Sequence, residues 1–340
     1  MSVSFAGSPD RIEAQLVPDA GFPFDSFRVS GLPRRPGLAQ ARAVLLAGRA
    51  PAACARILAA RQPHVVLGGG GYVAGPMVYA AWRKRIPAVL AEADAHLGLA
   101  NRLAAPFAKR VFLAYPVSGR DGPKYRVVGR PLRPLPVVPP AEARRRFGLP
   151  EGGQVLLVFG GSLGAQALNE AAIGAWAAEG PAVLHLCGER YLAGLEERPR
   201  RPEYRLFAWT DDFPAALAAA DLAFARAGGS VWEVAAAGLP AVLVPSPNVT
   251  ADHQTKNARY FEAAGGAVVV PERGLARAPE VVRELLADAG RLTAMGAAMR
   301  AAASSVAPIA ASYGGSLRPC TALAHRTPGT NAHYARSSGR

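Results

Sequence analysis

Cysteine is scarce in this 340-residue chain: Cys54, Cys187 and Cys320 are its three, and they lie far apart. An odd, scattered set supplies neither a disulfide framework nor a Cys-x-x-Cys metal site, and it suits a reducing compartment. Aromatic residues make up 7% of the chain, too few for the stacking platforms of a single-stranded nucleic-acid binder, so no nucleic-acid partner of that kind is expected. The sequence lacks any uninterrupted apolar run of about 18 residues and any signal-peptide pattern, so neither a membrane span nor export is expected. Charged residues are few, 19%, against 50% apolar ones. Such a chain buries a sizeable core and is too long for one typical domain, so two are expected.

The charge that exists is unevenly placed. Residues 1–135 carry 19 Lys and Arg against 7 Asp and Glu, net +12, while residues 136–304 carry 16 against 18, net −2. The last 36 residues add 4 basic groups and no acid. A basic first half fits a nucleic-acid enzyme, an enzyme of phosphorylated substrates or one that docks a domain on an anionic leaflet, and equally a solvated basic face in an Arg-rich chain.

Short apolar runs bounded by Gly or Pro alternate with Ala-rich helical stretches, the pattern of a doubly wound α/β protein with parallel sheets. In the first half we expect strands at His64–Leu67, Ala88–Ala91, Arg110–Ala114 and Tyr125–Val128, with helices at Pro76–Lys84 and Leu97–Ala108. Residues 130–140 contain five prolines and serve as the interdomain linker. A second unit then has strands at Val155–Phe159, Ala182–Leu186, Arg205–Ala208, Leu222–Ala225, Ala241–Val244 and Ala267–Val270, and a last helix at Arg291–Ala303. The expected division is 1–135, 136–304 and a tail, 305–340, that lacks the apolar periodicity to offset ordering entropy.

Two glycine turns carry the chemistry. Val158-Phe159-Gly160-Gly161-Ser162-Leu163-Gly164-Ala165 runs from strand through turn to helix, offering close backbone approach and free N–H groups to a phosphate. It is neither a Rossmann nor a Walker loop, and alone it also reads as a plain turn. Arg226-Ala227-Gly228-Gly229-Ser230 repeats the arrangement, with Glu233 about one helical turn further on. In an open α/β sheet such loops lie where ligands bind. Two phosphate-sized cradles and one carboxylate for ribose hydroxyls describe a nucleotide-diphosphate site. His253 and Gln254, at the start of a later helix, suit either the hydroxyls of a polar ligand or a helix cap.

These segments, with Ala235-Ala236-Ala237-Gly238-Leu239-Pro240 and Asp252-His253-Gln254-x-x-Asn257, resemble the MurG family. So do Gly70-Gly71-Tyr72-Val73-Ala74-Gly75-Pro76, Gly98-Leu99-Ala100-Asn101-Arg102 and Gly129-x-Pro131-x-Arg133, in the family's order over residues 3–303. The resemblance implies a GT-B fold, two Rossmann-like domains about a cleft. It also implies inverting transfer of GlcNAc from UDP-GlcNAc to lipid I, the undecaprenyl-diphosphate-linked muramoyl peptide, giving lipid II for peptidoglycan. The implied place is the cytoplasmic side of the cell membrane, held peripherally on the anionic inner leaflet. Position by position, it puts Ser162, Gly228, Gly229 and Ser230 at the diphosphate, Glu233 at the ribose and His253 and Gln254 at the GlcNAc hydroxyls. Arg133 matches the arginine of the family's linker motif, and Gly70, Gly71 and Tyr72 fall in the acceptor-side diphosphate turn.

Three departures qualify that reading. The family opens with a strand and a Gly-Gly-Thr-Gly-Gly-His turn that are expected to be missing here. At Leu90-Ala91-Glu92-Ala93-Asp94-Ala95-His96 only Glu92 matches the family's His-Glu-Gln-Asn. That leaves Glu92, Asp94 or His96 as the candidate general base, with a helix-capping Asp94 as the plain alternative. The spacing from Arg226 to Glu233 is one residue shorter than usual. No Asp-x-Asp occurs in the second half, so no essential metal and no cofactor are expected. Two other functions stay open: a non-catalytic UDP-sugar-binding paralogue, and a GT-B transferase with a different acceptor.

Overall fold

A computed structural model describes residues 2–30 and 37–304; the expectation about 305–340 lies outside the described residues. The first half opens with β1 (Phe5–Gly7), α1 (Glu13–Asp19), β2 (Phe24–Ser26) and α2 (Leu38–Arg61). It continues through β3 (Val66–Gly68), α3 (Gly71–Arg83), β4 (Ala88–Glu92), α4 (Leu99–Ala104), β5 (Arg110–Leu113) and β6 (Tyr125–Val127). β3 to β6 form one parallel sheet in chain order, whereas β1 and β2 make a separate two-stranded parallel ladder. β3 is therefore an edge strand, and its Leu67 is 60% exposed.

The four strands expected in this half occur within two residues of their expected ends. β1, β2 and α2 are additions: three-residue strands are too short to show a period. α3 begins five residues before the expected Pro76, which lies inside it. Proline suits a first turn, which favours it as a start signal, but here Gly70 and Gly71 at φ +95° and +68° already turn the chain into the helix.

The second half runs α5 (Pro140–Arg146), β7 (Val155–Phe159), α6 (Gln166–Trp176), β8 (Ala182–Leu186), α7 (Glu189–Glu196) and β9 (Tyr204–Phe207). It closes with α8 (Phe213–Ala219), β10 (Leu222–Ala225), α9 (Val231–Ala237), β11 (Ala241–Leu243), α10 (His253–Ala263), β12 (Ala267–Val269), α11 (Ala278–Ala287) and α12 (Ala289–Ser304). All six strands are parallel, in the order β12-β11-β10-β7-β8-β9. Every β7 side chain is buried: Val155, Leu157 and Phe159 enter one core and Leu156 and Val158 the other, because helices cover both faces of a parallel sheet.

This order fixes where a ligand can go. From β7 the chain winds outward to β9, then returns to β10 on β7's other side and winds outward to β12. The reversal leaves a crevice beyond the carboxyl ends of β7 and β10, and their last residues, Phe159 and Ala225, stand in register. Residues far apart in sequence meet there.

Candidate active site at the switch point of the second sheet

The crevice is a cavity of about 370 Å³ lined by Gly160, Gly161, Ser162, Gly228, Gly229, Ser230, Glu233 and Gln254, with Arg130, Phe159, Leu163 and Arg226 completing the wall. Both glycine turns thus meet in one site. The first turn is set by a close backbone crossing. A Cβ on Gly164, at φ +70°, would lie 2.0 Å from the Cys187 carbonyl oxygen, so β8's end presses directly on the turn. From the other side Asn169, on α6, donates from Nδ2 to that same carbonyl at 2.9 Å.

A buried polar chain stands behind Asn169. The Tyr204 hydroxyl meets His185 Nδ1 at 2.7 Å, and His185 Nε2 meets Asn169 Oδ1 at 3.0 Å. Because an amide oxygen only accepts, Nε2 carries the proton, and Nδ1 accepts from the tyrosine. Burial drives the His185 pKa from 6.5 to about 3, with nearby Arg200 pushing the same way. The unfolded chain therefore binds a proton that the fold excludes between these values. Stability from this group is fully present above about pH 6.5 and falls as pH drops toward 3, at about 1.4 kcal/mol per unit of displacement. The urea midpoint should therefore fall between pH 7.5 and 5 by more in the wild type than in His185→Gln. Equal falls would remove His185 from the acid response.

Glu233 stands in the first turn of α9, half-buried, and burial raises its carboxyl pKa while Arg130 opposes the rise. Gln254 Oε1 accepts from the Ser246 N–H at 2.9 Å, which leaves its amide nitrogen to serve the cavity. His253 does not line the cavity; its Nδ1 bonds the Thr250 carbonyl at 2.9 Å and orders the entry to α10. Arg226, almost wholly buried, donates to the Val244 and Pro245 carbonyls and pairs with Glu272, tying the ends of β10 and β11 together.

A second cavity of about 230 Å³ adjoins the first-half sheet, lined by Gly69, Ala91, Glu92, Ala93, Phe112, Ala114, Val128, Gly129, Arg130 and Pro131. Arg130 is the residue common to both cavities. Arg133, the expected linker arginine, is exposed and lines neither. Gly70 caps α3 and Gly71 and Tyr72 begin it, outside both cavities, with the Tyr72 hydroxyl 2.9 Å from Arg11 Nε. Of the three candidate bases, Glu92 lines the second cavity but its carboxylate is fully occupied. It accepts from the Ala93, Asp94 and Gly98 N–H groups and from Asn101 Nδ2. Asp94 Oδ1 accepts from Asn257 Nδ2 at 3.0 Å. Asn257 also donates to Ala227 and accepts from the Ala95 N–H, so one buried amide clasps the two halves. Asp94 and His96 both lie outside the walls of the two cavities, Asp94 two residues beyond Glu92.

Two family profiles match the chain: "Glycosyltransferase family 28 N-terminal domain" over residues 1–113 and "Glycosyltransferase family 28 C-terminal domain" over 155–311. A Salinibacter ruber UDP-N-acetylglucosamine–N-acetylmuramyl-(pentapeptide) pyrophosphoryl-undecaprenol N-acetylglucosamine transferase is 42% identical over 311 residues, 88% of this chain and 83% of that one. Its counterpart from Halothermothrix orenii is 35% identical over 314 residues, covering 86% and 85%. The crystal structure of Acinetobacter baumannii MurG superposes with TM-score 0.71 at 28% identity, covering 92% of this chain and 89% of that one. The chain belongs to the MurG family.

Membership makes it a GT-B glycosyltransferase, as the sequence led us to expect, with the family's two parallel-sheet units in order. The calicheamicin glycosyltransferase CalG4, at 18% identity and TM-score 0.64, shares the fold alone. Within the MurG family's plan the larger cavity occupies the C-terminal family 28 domain, the smaller one the N-terminal domain, and Arg130 stands between them.

Proposed function

We propose that the chain transfers GlcNAc with inversion from UDP-GlcNAc to lipid I, forming lipid II for peptidoglycan, with donor in the larger cavity and acceptor entering by the smaller one. The observation that carries this is the convergence of both glycine turns, Glu233 and Gln254 in one cavity at the strand-order reversal. Gly228, Gly229, Ser230 and Ser162 cradle the diphosphate, Glu233 accepts from the ribose hydroxyls and Gln254 reads the sugar. Fixed donors aimed at the departing phosphate supply preorganised electrostatic stabilisation. Asp94 takes the acceptor proton, since Glu92 has its oxygens filled by its own loop. Radiolabelled GlcNAc passing from UDP-GlcNAc to a lipid I analogue tests the reading directly; no transfer under any condition overturns it. Glu233→Ala should weaken donor binding by about 1.5–3 kcal/mol, the scale of a hydrogen bond to a charged group, read by calorimetry.

Among the described residues no helix is long and apolar enough to cross a membrane. Attachment at the cytoplasmic face is instead assigned to the basic first half. On α3, Trp82 is 50% exposed and stacks with Tyr79 and Phe107, and α4 adds Leu99 and Leu103, at 64% and 66% exposure, one helical turn apart. Arg83, Lys84, Arg85 and Arg102 flank these groups, suiting an anionic leaflet at about 1 kcal/mol per basic residue. Vesicles with anionic lipid should bind the protein more tightly than neutral ones, less so at high salt, and Trp82→Ser with Leu103→Ser should weaken both. Equal flotation on neutral and anionic vesicles would count against this attachment.

A further inference from the structure

We propose that Arg130, reaching from the linker, supplies the positive charge that holds the donor diphosphate and stabilises UDP as it leaves. The inference rests on the transferase reading above and names a residue that the family's linker motif leaves unspecified.

The cations in the wall of the larger cavity are Arg130 and Arg226. Arg226 is committed, since its guanidinium bonds two carbonyls and Glu272. Arg130 makes no hydrogen bond or ion pair among the described residues. Its guanidinium instead lies flat against the second glycine turn: a Cβ on Gly229 would meet its Cζ and Nη1 at 2.7 Å and its Nη2 at 2.8 Å. A methyl there would have to push the guanidinium aside, and the contact holds its Nη1 and Nη2 donors at the backbone that would cradle phosphate. α9, directly behind, has seven residues, so its dipole alone is a modest counter-charge. Glu233 carries the opposite charge in the same cavity and feels Arg130. A carboxylate for ribose and a guanidinium for diphosphate are thus held apart on one wall.

In the reaction, the acceptor oxygen forms a bond to the sugar's anomeric carbon as the bond from that carbon to the diphosphate oxygen breaks. The bonding pair stays on that oxygen, UDP departs with the added charge, and the acceptor proton passes to the base. Arg130 faces the growing phosphate charge. Its place in the linker puts it at the border of both cavities, between donor and acceptor.

The test uses the full chain with UDP and uridine as binding probes and a lipid I analogue for turnover. Arg130→Ala should weaken UDP at least tenfold, leave uridine within twofold and lower kcat by about 10²–10³-fold, the cost of one oxyanion-stabilising donor. Arg130→Lys should recover part of both losses. Gly229→Ala should displace the guanidinium and weaken UDP when Arg130 is present, and weaken it by a smaller factor in the Arg130→Ala background, a non-additivity expected of touching groups. Equal loss of UDP and uridine would make Arg130 a structural residue. UDP affinity unmoved by Arg130→Ala, or additive effects with Gly229→Ala, would overturn the contact. If wild type fails to bind UDP at all, the transferase reading fails with it; if wild type transfers and Arg130→Ala matches it, this inference fails alone.

Discussion

Gly164→Ala is expected to abolish donor binding, with a loss of at least about 100-fold in UDP-GlcNAc affinity by calorimetry. The added methyl meets a backbone carbonyl, Cys187 O, at 2.0 Å, and that carbonyl is held by Asn169. Neither a rotamer change nor a local breath of the side chains relieves such a clash, so the turn itself must move. An alanine at φ +70° adds about 1–2 kcal/mol of left-handed strain, and overpacking adds about 1–3 kcal/mol. A turn displaced by even part of that gap loses its aligned N–H donors, each charge-assisted bond being worth about 1.5–3 kcal/mol. Gly161→Ala is the control. Its φ is +90°, but nothing stands within 4 Å of the added methyl, so only backbone strain applies and the loss should stay near tenfold. Donor affinity within threefold of wild type in Gly164→Ala would show that this turn is not part of the donor site.

Much of this site is readable in the sequence because its logic is local. A buried parallel strand such as Val155–Phe159 shows as an unbroken apolar run, and the glycines after it mark a turn whose geometry only glycine fills. That two such turns share a cavity follows from strand order, which alternation of strand and helix already suggests. Arg130 is not readable in the same way. Arg130 and Arg133 both sit in a proline-rich segment without periodicity, and which one turns inward depends on backbone angles that composition does not set. The usable signal is small: Arg130 directly follows Gly129, which the structure holds at φ +69°.

Contacts across the halves were equally hidden. Asn257 reaches Ala95 over 162 positions, and Tyr115 of the first half packs against Trp232, Tyr260 and Phe261 of the second. As residue types these read as a polar helix position and a strand-end aromatic. Only tertiary packing turns them into contacts that join the two halves. The carboxylates after β4 show the same limit, since Glu92 and Asp94 are alike in sequence and differ in what their oxygens already hold.

That difference leads to the second large effect. Asp94→Asn is expected to lower kcat by about 10²–10⁴-fold, the usual worth of a positioned base, with donor KM changed less than threefold. Asparagine keeps an oxygen to accept from Asn257, so the clasp between the halves survives and the loss reports the missing basic oxygen. Glu92→Gln should behave differently. The four donors on Glu92 belong to its own loop and Asn101, and an amide nitrogen facing two of them is repulsive. That variant should therefore lose thermal stability along with activity. His96→Ala completes the set: a collapse in kcat there, with Asp94→Asn near wild type, would move the base to His96 and overturn the assignment to Asp94.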